Sequence, residues 1–132
     1  MPDRIRPPSG LNPMQATAAS ALKAQQARMR VIAENIANAD STGQTPGSDP
    51  YRRKQPVFEP QRLGRGGPTG VELAKVVPDR RAFRLEYDPA HPAADEKGYV
   101  KTPNVDTLIE ALDMREAQRA YEANLNVIET SR

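Results

Sequence analysis

The chain has 132 residues, a net charge of +2, a pI of about 9.1, 37% hydrophobic and 5% aromatic residues, and neither Trp nor Cys. Globular chains are usually about 45–50% apolar, so one modest domain is expected, without a large self-sufficient core. The lack of cysteine excludes a disulfide framework, a thiolate metal site and a Cys nucleophile, and so small a charge does not by itself indicate nucleic acid.

The composition is segregated. Nine of the 13 Pro and seven of the 8 Gly fall between Gly43 and Pro103, so two Pro-poor arms flank a Pro/Gly-rich middle. Residues 1–11 read as a flexible polar leader; MPDRIRPPSG has no apolar h-region, so no cleavable secretion signal is expected. No apolar run reaches the roughly 18 residues of a transmembrane helix, so no membrane insertion is expected.

Residues 12–43 read as a long helix and its stop. Asn12 suits the N-cap, with Pro13 at the first helical position and Gln15 at the third. Leu11, Met14, Ala18, Ala21, Leu22, Met29, Ile32 and Ile36 recur at steps of three and four, an apolar stripe that needs a partner. Ala16, Ala18, Ala19, Ala21 and Ala24 allow close approach. The helix runs into IAENIANADSTG, where Asn38 or Gly43 suits the left-handed end of a helix. There Asp40, Ser41 and Thr42 suit bonds to the backbone of the turn. Asn35 and Asn38 fall beside the stripe, not on it.

Residues 44–103 read as short strands between turns: Tyr51–Phe58, Val71–Val77 and Ala82–Tyr87. Phe83, Leu85 and Tyr87 alternate with Arg84 and Glu86, a half-buried pattern. LGRGGPTG, Leu63 to Gly70, reads as a hairpin tip.

Residues 104–132 read as a second long helix. Pro103 and Asn104 set its start, and Asp106 and Glu110 suit its positive end. Val105, Leu108, Ile109, Leu112, Ala120, Ala123 and Val127 make one stripe. Met114, Ala117, Tyr121, Leu125 and Ile128 make another, so the helix wants two neighbours.

No catalytic, cofactor or metal set emerges. Asp40-Ser41-Thr42-Gly43 superficially resembles an aspartic-protease loop, but it carries an extra residue and has no second copy to share a proton. His91 lies between two turn prolines with no spacing that aims Asp88, Asp95 and Glu96 at one point. The Gly64–Gly70 loop contains Pro68 and leads to a strand-like run, not to a helix with a Lys. The basic run in YRRKQ reads as a solvated strand end.

Three stretches carry a family likeness. SALKAQQARMRVIAENIANADSTG, Ser20 to Gly43, is centred on Asn35–Asn38; the others are FRLEYDPAHPAADEKGYVKTPNVD, Phe83 to Asp106, and EALDMREAQRAYEANLNVIET, Glu110 to Thr130. With PYRRKQPVFE they make the chain resemble the rod–hook axial proteins of the bacterial flagellum. The resemblance implies an α+β fold: long terminal helices pair as a coiled-coil-like arm, with a small β subdomain inserted between them. It implies a structural subunit of the proximal rod, in the periplasm-spanning part of the basal body, that transmits torque from motor to hook. The implied partners are other rod proteins, copies of the same chain, the adaptor to the membrane ring and the flagellar type III export apparatus. The subunit interface expected from stripe and resemblance together comprises Met14, Leu22, Met29, Ile32, Asn35, Ile36 and Asn38 in the first arm. In the second arm it comprises Leu108, Leu112, Tyr121, Asn124, Leu125 and Ile128. Asp40 and Gly43 form the helix stop. Family members begin almost at the helix and run about two turns further, so the second helix is expected to be cut short. The alternative is a basic module that binds nucleic acid or an anionic surface through Arg4, Arg6, Lys23, Arg28, Arg30 and YRRK.

Overall fold

A reciprocal capping box starts the first helix, α1, Pro13–Ala37. The Gln15 amide donates to Asn12 Oδ1 at 2.7 Å, and the Asn12 amide donates to Gln15 Oε1 at 3.3 Å. The computed structural model describes residues 11–130. The leader therefore lies outside them except for Leu11, as do Arg4, Arg6 and residues 131–132. After α1 come β1 (Lys54–Arg62), β2 (Thr69–Pro78), β3 (Arg84–Tyr87), β4 (Tyr99–Thr102) and α2 (Thr107–Thr130). The fold is α+β, with a small β region between two long helices. The chain divides into two compact units, one from residues 11–30, 56–76 and 114–130, the other Val31–Gln55 with Val77–Asp113.

In the first unit the terminal helices run antiparallel. Gln15 Nε2 donates to the carbonyl of Ile128 at 3.1 Å, and Arg28 pairs with Glu116 at 3.6 Å. That ion pair is exposed on its Glu116 side and adds little. The buried positions of α1 are Ala16, Ser20, Ala24 and Ala27, with Gln15 and Ala18 beside them, and Ala117 is fully buried on α2. This corrects the expected stripe. The packed line of α1 in this unit consists mostly of small residues; Ala18 of the stripe is buried, Leu22 and Met29 are half-buried, and Met14 is exposed. Small side chains let backbones approach closely, and close packing rewards that approach.

The β1–β2 hairpin turns where the sequence places it. The Leu63 amide donates to the Pro68 carbonyl, and Gly64 and Gly66 hold positive φ of 92° and 69°. Ser20 fastens the hairpin to α1. Its hydroxyl donates to the Val71 carbonyl and accepts from the Val71 amide, both at 2.7 Å. A Cβ on Gly70 would stand 2.4 Å from Ser20 Oγ, so only glycine permits this seat.

In the second unit β3 and β4 are antiparallel, with Leu85 opposite Lys101, Glu86 opposite Val100 and Tyr87 opposite Tyr99. β4 has no counterpart in the sequence expectations, being only four residues long. The half-buried reading of β3 is corrected as well: Leu85 and Tyr87 are 66% and 64% exposed, and Val100 is buried. The register explains it. Val100 turns inward on the face it shares with Glu86, leaving Leu85 and Tyr87 on the outer face of a two-stranded sheet. Tyr87 and Tyr99 meet edge to face there, with ring centres 5.2 Å apart.

The second helix starts later than Asn104. Asp106 is its N-cap, its Oδ1 accepting from the amides of Leu108 at 3.0 Å and Ile109 at 3.3 Å. The stop after α1 is closed by Asn38, whose Nδ2 donates to the Glu34 carbonyl and whose Oδ1 accepts from Ser41 Oγ. Gly43 does not take positive φ. It is needed for space, since a Cβ there would lie 1.9 Å from Ser48 Oγ. Asp40 is exposed in the turn, and Thr42 bonds His91 Nε2 at 3.1 Å and not the turn backbone.

Candidate assembly surface and a buried polar network

The second unit is organised around a polar network that the sequence does not announce. Glu110 and Asn35 are each 1% exposed. The Arg53 Nε donates to Glu110 Oε2 at 2.6 Å, and Asn35 Nδ2 donates to Glu110 Oε1 at 3.3 Å. Asn35 Nδ2 also donates to the Lys54 carbonyl, while its Oδ1 accepts from the Lys54 amide and from the Tyr51 hydroxyl. Arg53 continues to Asp79 at 3.1 Å, and Arg81 pairs with Asp79 at 2.7 Å. Asn104 accepts from the Arg53 amide and donates to the carbonyls of Asp79 and Arg81. Two carboxylates and two guanidinium groups balance. Among the described residues no buried side-chain nitrogen or oxygen lacks a hydrogen bond, the condition under which buried polar groups are tolerated.

The electrostatics follow from these contacts. Hydrogen bonding from Arg81 holds the Asp79 carboxyl far below the usual carboxylate range, against the opposing effect of burial. Burial would lower the Arg53 pKa, but Glu110 and Asp79 hold it raised. The Tyr51 hydroxyl is pushed up to about 12, first by burial, then by the Glu34 and Glu110 carboxylates, with Arg53 opposing. An unfolded tyrosine ionises near pH ~10. The stabilisation from neutral Tyr51 is therefore complete below about pH 10 and is lost as pH rises towards 12. In a tyrosinate absorbance titration, one of the four tyrosines should ionise near pH 12. Tyr51→Phe should remove that late step; a late step that survives the substitution belongs to another residue.

The expected interface residues fall into three groups. Met14, Ile36, Leu108, Leu112 and Leu125 are exposed. Leu22, Met29, Asn38, Tyr121, Asn124 and Ile128 are half-buried. Ile32 and Asn35 are buried inside the chain. For Asn35 the placement beside the stripe is corrected: each of its amide hydrogen-bonding sites is used within the chain, so nothing is left for a neighbour. The Asn124 amide is likewise spent on its own helix, donating to the Ala120 carbonyl at 2.8 Å. On the first turns of α2, Leu108 and Leu112 are 69% and 57% exposed, and Ile109 is exposed between them. Their spacing makes them one apolar row, the kind of surface that marks a contact site.

YRRK is not a solvated strand end. Arg53 is interior, Lys54 pairs with Glu34, and Arg52 stacks over the Phe83 ring at 4.0 Å while bonding the carbonyls of Asp79 and Arg81. His91 accepts from the Ala93 amide through Nδ1 at 2.9 Å, which leaves the proton of the neutral ring on Nε2, donating to Thr42. No group of three metal-ligating side chains occurs among the described residues.

Paired terminal helices, a β insert and an exposed apolar row describe a chain built to join others. Two family profiles agree: one described as "Flagella basal body rod protein" matches residues 16–43, and "Flagellar basal body rod FlgEFG protein C-terminal" matches residues 96–132. The fold and these motifs define a flagellar basal-body rod protein. The flagellar basal-body rod protein FlgC of Agrobacterium fabrum is 50% identical over 125 residues, covering 92% of this chain and 90% of that one. Its counterparts in Escherichia coli O6:H1 and Borreliella burgdorferi are 46% identical over 86% of this chain and 42% identical over 87%, covering 84% and 86% of their own lengths. The chain belongs to the FlgC family of flagellar basal-body rod proteins. It is a structural component of the basal body that assembles with other rod components, not an enzyme. The basic-module reading finds no support among these relatives, and several of its cations are already paired within the chain.

Proposed function

We propose that the chain is a subunit of the proximal part of the rod, helping to carry torque from motor to hook across the periplasm. The observation that carries this reading is the exposed apolar row Leu108, Ile109 and Leu112 on the first turns of α2. In this reading the row, with exposed Met14, Ile36 and Leu125, packs against other rod proteins and copies of the same chain. Staggered helices in close contact resist sliding and transmit twist. Residues 12–43 and 104–132 form the assembling arms, 44–103 the β-rich insert and 1–11 a leader. Delivery through the flagellar type III export apparatus and contact with the membrane-ring adaptor complete the proposal. Hydrogen exchange tests it: amides of α1 and α2 should exchange much more slowly in isolated basal bodies than in the free chain. Equal exchange in both would sink the assembly role of the arms.

A further inference from the structure

In the second unit, Asn35 near the end of α1 meets Glu110 in the first turn of α2. Apolar contacts between such segments discriminate poorly among alignments, because one aliphatic side chain replaces another when helices slide. Hydrogen-bonded contacts discriminate sharply, because a buried carboxylate or amide either has its partner or does not. The buried tie between the two segments is Asn35 Nδ2 to Glu110 Oε1. Each member is also held from a third direction. Asn35 binds both the amide and the carbonyl of Lys54 at the start of β1, and Glu110 binds Arg53 one residue earlier.

From this the geometry points to a register lock: the Asn35–Glu110 pair selects the axial alignment of the end of α1 against the start of α2, and ties both to β1. A slip of one helical turn, about 5.4 Å, strands the Glu110 carboxylate and the Asn35 amide, so the alternative alignments carry the cost of unpaired buried polar groups. Fixing register is the best-attested use of such buried polar groups. The lock stands independently of the rod reading.

The test uses the full chain, which has no cysteine of its own. Nitroxides are attached through A33C and A111C, two exposed positions flanking the pair, and distances are read by pulsed electron resonance. The unaltered chain should give one narrow distance. The apolar pair N35L/E110L should keep its helical circular dichroism but broaden or split the distance distribution. A single, unshifted distance in N35L/E110L overturns the proposal. If that chain loses its helical signal, Asn35→Ala serves in its place: a broadened distribution supports the lock, and an unshifted single distance overturns it.

Discussion

Glu110→Ala is expected to destabilise the chain by about 3–5 kcal/mol, the cost of removing one partner from a buried charged pair. That is a large share of the roughly 5–15 kcal/mol that holds a domain folded. Three losses combine. Arg53, with 15% of its side chain exposed, loses its 2.6 Å contact and keeps only Asp79. Asn35 loses one acceptor at a site sealed from water. The vacated side-chain volume leaves a cavity. Urea denaturation followed by circular dichroism measures the effect, and a loss below about 1 kcal/mol would show that the network is decorative. Adding Arg53→Ala should cost less than the sum of the two single substitutions, because the second removes a charge the first has already orphaned. Acid should act on the same structure. The depressed Asp79 contributes fully above the ordinary carboxylate range, and its contribution is lost as pH falls through its lowered pKa.

L108D/L112D should have the opposite profile. Both side chains already face solvent, so the free chain should melt within about 0.5 kcal/mol of the parent. In the assembled rod each new carboxylate would be desolvated without a partner, at several kcal/mol apiece. Since about 1.4 kcal/mol is a factor of ten, incorporation into basal bodies should fall at least a hundredfold and cells carrying only this variant should not swim. Normal swimming would remove the Leu108–Leu112 row from the interface. Ile32→Asp provides the contrast. Ile32 is buried in its own chain, so this change should unfold the subunit before assembly is tested.

The residues explain why some of this was legible. Asn12, Pro13 and Gln15 specify a helix start through bonds made within four residues, and the structure repeats them. The glycines of Leu63–Gly70 specify a tight turn by the same local logic. The row at Leu108, Ile109 and Leu112 was visible as apolar surface, though not as the side left open. The partner of Asn35 is not legible, because an amide on a helix looks the same whether it meets a neighbouring chain or a carboxylate 75 residues away. The same holds for Arg53: a basic run carries no mark of the buried acid that receives one of its members.

The two long helices, the cap at the start of α1, the hairpin tip and the family likeness are readable from the residues alone, because capping, turn chemistry and periodicity are settled by neighbours a few residues apart. Which helix face is buried, where β4 pairs and which polar groups join Glu110 are settled by tertiary contacts. Those outcomes depend on what stands opposite each residue in space. Along α1 that opposition favoured the small side chains of Ala16, Ser20, Ala24 and Ala27 over a large one such as Met14. The difference is physical: short-range hydrogen bonds are written into adjacent residues, while close packing and buried charge pairing exist only once distant segments have met.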